Sequence, residues 1–231
     1  MDRKQIKIDA KYAVKGFQWL KFDIAIFIWA IVGGLINVVM GILMGLDTAL
    51  YKKISIAGLV VGIVIGLFWI IISVGFMGCM VVGMYKNCID MWYGTGCEIG
   101  TCFKYTKYLV NCFGIMWGMT WRLMIPIPIL NIYLAMRCCF APFVKAEYPY
   151  MKARFCIKRS KELTKNNVFN IFILGLSFFG WFLLAPLTLN LLMLWLMPYY
   201  LTAFAGAYDT LKQENGDVVA GGQFNPNQEE V

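Results

Sequence analysis

The chain has 231 residues, 60% of them hydrophobic and only 15% charged, with a mean hydropathy of +0.66 and a pI of about 9.0. A soluble domain is nearer half apolar and a quarter charged, so this composition excludes an ordinary water-soluble globule, and the length leaves no room for a separate folded module. The net charge of +8 sits on Lys and Arg flanking apolar blocks, which points to anionic membrane lipids and not to nucleic acid.

Residues 1–22 read as a basic amphipathic leader helix on the membrane surface, or else as a solvated charged leader. Ile6, Ala10, Ala13, Val14, Phe17 and Leu20 recur at helical spacing beside a stripe of Lys4, Lys7, Lys11 and Lys15. Trp19 stands where an interfacial aromatic belongs. The first apolar block follows this leader without a small-residue cleavage site, so it is expected to stay as an anchor. Asp2 follows Met1 and Val231 ends the chain, so no lipid anchor is expected.

Residues 24–46, 54–85 and 166–208 carry no charge, and about 20 apolar residues are enough for a helix to cross a bilayer core. The fold class is all-α: a polytopic transmembrane bundle occupying residues 23–208. Its spans are expected near 23–46 and 54–85, then 109–125 and 128–145, then 168–187 and 189–208. Gly33, Asn37, Gly41 and Gly45 fall four apart, as do Gly58, Gly62 and Gly66, and then Gly75, Cys79 and Gly83. Small residues at that spacing let helix backbones approach closely in lipid. They serve packing within the chain, self-association, or a glycine-lined pore.

Residues 86–108 form a polar connector. The block 109–144 is interrupted by Pro126 and Pro128, and charge decides how to divide it. The first 21 residues hold six Lys/Arg and residues 145–165 hold seven, so both belong on the cytoplasmic side. An even number of crossings must lie between them, which gives two short spans turning at Ile125–Pro128, or a re-entrant pair. Residues 146–165 read as a second basic interfacial helix, closed by Asn166–Asn167. The tail 209–231, rich in Gly, Asn, Gln and Glu, is expected to be disordered. Both termini are then cytoplasmic, in a plasma membrane.

Chemistry-bearing residues are sparse. Arg122 lies near the outer end of the third span and Arg137 near the basic end of the fourth. They are the candidate contacts for an anion or lipid headgroup, and Arg137 also suits a helix C-terminus or simple snorkelling. The chain has no histidine, no central carboxylate in any span, no phosphate loop and no nucleophile elbow. No enzyme activity, cofactor or metal site is therefore expected. The eight cysteines read as reduced thiols; Cys88, Cys97 and Cys102 come nearest to a metal-binding set, but their spacing is irregular and a fourth ligand is lacking.

The second half carries a resemblance. It rests on Ala141-Pro142-Phe143, Ser160-Lys161-Glu162-Leu163 and the run Ser177–Leu184 containing Gly180-Trp181. Leu187-Thr188-Leu189, Leu194–Tyr199 and Ala207-Tyr208 complete it. In these residues the chain resembles the domain-of-unknown-function 975 family of bacterial membrane proteins over most of residues 1–211, densely over 135–211. It departs at Ile125–Pro128 and at Asn190–Leu191. The resemblance implies a multipass membrane protein and no particular activity, with Gly180-Trp181 as a close-contact point and Pro198-Tyr199 as a kink with an anchoring phenol.

Two functions follow as expectations. One is a non-enzymatic bundle that packs with itself or another membrane protein in the cell envelope, through Gly33, Gly41, Gly45, Gly58, Gly62, Gly66, Gly180 and Trp181. The other is a transporter or channel for a lipid-like or small amphipathic anion, centred on Arg137.

Overall fold

A computed structural model describes residues 2–50, 56–123 and 128–215, without the side chains at 40, 43–50, 56–59, 61, 122–123 and 128–129. The expectations for Gly45, Gly58, the Arg122 side chain, the turn at 124–127 and the tail at 216–231 lie outside the described residues. Among those described, every regular element is helical.

Asp2 starts α1 (Arg3–Ala13) by accepting the Lys4 and Gln5 N–H groups at 3.0 and 3.3 Å, two of the donors that a helix start leaves unpaired. Gly16, at φ +77°, turns the chain into α2 (Gln18–Leu50), which is followed by α3 (Ile56–Trp92). At 33 and 37 residues these rods are about 50 and 55 Å long, well beyond a bilayer core of about 30 Å. The polar connector expected from residue 86 thus begins only after Trp92. Lys86 and Asp90 pair one turn apart at 2.6 Å, and Cys88, Ile89 and Met91 are buried, so the segment has a core face to keep it helical. Gly94 and Gly96, both at positive φ, then end it.

A short helix α4 (Thr101–Lys104) and a 3-10 turn lead into α5 (Leu109–Leu123), and α6 is Pro128–Cys138. Their 15 and 11 residues amount to about 22 and 16 Å. Among the described residues, four helices are long and apolar enough to cross a membrane, in α2, α3, α9 and α10, against the six spans expected. The block 128–145 is not one helix. It breaks at Cys139–Phe140 and resumes as α7 (Ala141–Glu147), with Pro142 in its first turn, where a residue lacking N–H is tolerated. The freed Phe140 N–H donates to Ser160 Oγ at 3.2 Å.

The second basic helix is shorter than expected: α8 is Ala153–Leu163. Its end is closed by Thr164, whose hydroxyl donates to the Ser160 carbonyl at 2.9 Å, while Asn167 instead precedes α9 (Val168–Leu184). The join of α9 to α10 (Leu191–Glu214) is the tight one foreseen. Pro186–Thr188 make a 3-10 turn, and Leu189 and Asn190 take left-handed φ of 51° and 63°. Helix α10 continues past 209, where the tail was expected to start, because Asp209 and Leu211 are buried in the core.

Burial divides the bundle lengthwise. In one half, the C-terminal parts of α3 and α10 pack with the start of α2 and with α1, α4, α5, α7 and α8. Backbones touch there. A Cβ on Gly83 would lie 2.5 Å from Cys102 Cα, one on Gly78 2.8 Å from the Cys112 carbonyl, and one on Gly206 2.5 Å from the Trp92 ring. Trp29 stacks on Phe76 at 4.0 Å, and Phe143 stacks on Tyr208 at 5.5 Å. In the other half, α2 exposes Ile31, Leu35 and Val38, α3 exposes Ile63, Leu67 and Phe68, and α9 exposes Phe179 and Leu183. The apolar stripes of the two basic helices are covered by protein in part, with Phe17, Leu20 and Phe155 left exposed. Ile6 and Ala10 of α1 and Val14 just after it are buried, as are Cys156, Ile157 and Leu163 of α8, which leaves lysines such as Lys4, Lys11, Lys152 and Lys158 outward.

Candidate functional site

Arg137 is the one candidate cation whose surroundings are described. It ends α6, and both its Nη groups are engaged: Nη1 donates to the Tyr133 hydroxyl at 3.1 Å and Nη2 to the Lys161 carbonyl at 2.8 Å. Lys161 lies in the last turn of α8, where unpaired carbonyls and the helix dipole favour a cation. Of the partners foreseen for Arg137, the one in place is a helix C-terminus. The junction is reinforced from the other side, since Ser160 Oγ donates to the Arg137 carbonyl at 2.9 Å. Arg137 Nε is buried without a hydrogen-bond partner.

Next to this junction lies a cavity of about 220 Å³. Its walls come from α6 (Leu134, Ala135), α5 (Met119), α3 (Tyr85), α7 (Phe143) and α10 (Tyr200, Phe204), and among the described residues no charged side chain lines it. It exists because α6 stops at Cys138: the break at 139–140 turns α7 inward and leaves a gap between α6 and α10. Sequence reasoning missed it, as nothing in the spacing of Cys138-Cys139-Phe140 marks where the helix would end. Pro142 was the available signal.

Lys145, counted among the cytoplasmic charges, is fully buried. Its Nζ donates to the carbonyls of Pro149 (2.7 Å) and Met151, so it closes the loop from α7 to α8. Burial holds its amine below the ordinary lysine range. The Cys156 thiol beside it is pushed up to about 11, also by burial, so it stays protonated and unreactive near neutrality. Seven of the eight cysteines are buried, and all are free thiols. Among the described residues, no group of three or more His, Cys, Asp or Glu side chains is placed to hold a metal.

The glycines single out different faces. Gly33 meets Phe76, with a built Cβ 3.4 Å from the ring, and its carbonyl accepts the Asn37 amide at 2.7 Å. Around Gly41 and Gly180 a Cβ would meet nothing within 4 Å, and Trp181 is half-exposed. Gly62 and Gly66 lie along the half of α3 whose neighbours Ile63, Val64 and Leu67 are exposed. Pro198-Tyr199 does anchor, since the Tyr199 hydroxyl donates to the Lys7 carbonyl at 3.3 Å and joins α10 to α1.

A family model described as "Protein of unknown function (DUF975)" matches residues 40–215. No curated protein and no solved structure matches the chain.

Proposed function

Because the chain belongs to the DUF975 family of proteins of unknown function and its described residues include four helices fit to cross a membrane, we propose that it is a non-enzymatic membrane bundle. Its outward helices pack against a further membrane component, a second copy or another membrane protein of the cell envelope. The observation that carries this reading is the open small-residue surface at Gly41 of α2 and Gly180 of α9, each set among exposed apolar side chains. Close helix approach is what such surfaces permit in lipid.

Charge supports an orientation. Helices α1 and α8, Lys86, Asp90, Glu147, Asp209 and Lys212 all belong to the packed half. We place that half at the cytoplasmic face of the plasma membrane, with its basic rim on anionic lipid headgroups. The α5–α6 pair then enters the membrane and returns. It keeps the count of crossings even and leaves both termini inside, whether the pair spans fully or is re-entrant.

Passage of a small amphipathic anion past Arg137 has less support, because both Nη groups are already held. The test is self-association or capture of a neighbour in vesicles. Chemical crosslinking should trap a dimer or a heteromeric adduct, and Gly41→Leu with Gly180→Leu should weaken it. A chain that stays strictly monomeric and uncrosslinked across several lipid compositions would contradict the reading.

A further inference from the structure

We propose that the cavity beside α6 is a binding site for an alkyl chain, the terminal part of a lipid acyl chain or of a free fatty acid. The first ground is its chemistry. The cavity is walled by aliphatic, aromatic and sulfur-bearing side chains, Tyr85 and Tyr200 being the lining residues that carry a hydroxyl. An apolar protein cavity of about 150 Å³ stays dry and takes up benzene or xenon. At about 220 Å³ this one is larger, and water would find few partners in it.

The second ground is where it opens. Met119, Leu134, Ala135 and Tyr200 are only half-buried, whereas Phe143 and Phe204 behind them are buried. The mouth therefore lies on the α5–α6 side. Elsewhere on these two helices Trp117 and Trp121 of α5 and Leu130, Ile132 and Tyr133 of α6 are exposed. In a membrane protein such a surface borders hydrocarbon, so the medium at the mouth is itself made of alkyl chains. The third ground is the placement of charge. Arg137 belongs to the lining helix but turns to α8, so its guanidinium does not draw the polar end of a ligand into the cavity. The inference stands whether or not the bundle packs with a neighbour.

The experiment uses the full chain in phosphatidylcholine vesicles. In one arm the phospholipid carries a diazirine near the end of one acyl chain. In the other the lipid is plain and a diazirine-bearing free fatty acid is added. After irradiation, labelled residues are mapped by mass spectrometry. Label is expected on cavity residues such as Met119, Ala135 and Tyr200. It should fall several-fold in Ala135→Phe, which fills the cavity, while label on exposed Val38 of α2 is unchanged. Met119→Phe fills the cavity from the opposite wall if the first variant does not fold, and wild-type labelling decides if neither does. Cavity label from the phospholipid arm identifies bilayer lipid as the source; label confined to the second arm identifies a free acid. Cavity residues unlabelled in both arms while Val38 is labelled, or cavity label indifferent to filling, would overturn the proposal.

Discussion

Gly206 of α10 lies directly against the indole of Trp92 at the end of α3, so closely that a Cβ at 206 would lie 2.5 Å from two ring carbons, Cη2 and Cζ3. The ring is not free to retreat, since its Nε1 donates to Asp209 at 3.3 Å, and Asp209 also accepts the Tyr93 hydroxyl and the Gln213 amide. Gly206→Ala should therefore destabilise the protein by about 1–3 kcal/mol, the usual cost of overpacking. Gly180→Ala, where a Cβ meets nothing within 4 Å, should leave the midpoint of thermal unfolding in the same detergent unchanged or slightly raised.

Removing the Arg137 side chain deprives the α8 C-terminus of its cation and the Lys161 carbonyl of a donor. Arg137→Ala should cost roughly 1.5–3 kcal/mol, the range for a hydrogen bond to a charged group. Arg137→Lys should not restore it, because one ammonium lacks the fork that reaches both Tyr133 and Lys161. Hydrogen exchange over α6 locates the effect: protection there should drop while α3 and α10 stay protected.

Glu147 and Lys212 join α7 to α10 at 2.8 Å, each side chain only 16% exposed, and the Tyr208 hydroxyl donates to the same carboxylate at 2.8 Å. So sheltered a pair is less screened by salt than a surface one. A double-mutant cycle of Glu147→Gln and Lys212→Met should give a coupling of roughly 0.5–3 kcal/mol, persisting in high salt. A coupling that vanishes in salt would mean the pair is solvated.

Burial raises the Cys156 thiol to about 11 from its usual 9.0. A group whose folded value is raised stabilises the fold below the unfolded value and loses that contribution as pH climbs through the folded one. Stability should thus fall between pH 9 and 11. Cys156→Ala should flatten that slope by an amount on the order of 2 kcal/mol. Comparing urea midpoints of both proteins across the window measures it; parallel slopes would place Cys156 in contact with solvent.

Patterning made the long apolar helices and the α9–α10 join legible, because charge-free runs, Pro186 and Asn190 report on local backbone and lipid. It failed where tertiary contacts override local signals. Helix α3 persists through the polar residues 86–92 because Cys88 and Met91 have a core to face. Lys145 looks like a surface charge until the loop carbonyls that bind it are seen. The regular glycines at 33 and 41 drew attention by their spacing. Of the glycines marked by that interval, Gly75 and Gly83 do meet a neighbour at close range, whereas Gly41 meets none; the equally tight contacts at Gly78 and Gly206 fall outside the pattern, set by the partners Cys112 and Trp92. The helix-terminus partner of Arg137 was foreseeable as a type, but not as Lys161.

Because the native thiols are shielded, with Cys139 alone partly open, the folded chain offers a nearly silent background to a membrane-impermeant maleimide. A single reporter thiol introduced at an outward lysine such as Lys152 or Lys4 would stand out against it without first stripping the natural eight, so sidedness can be read on a protein whose interior has not been altered.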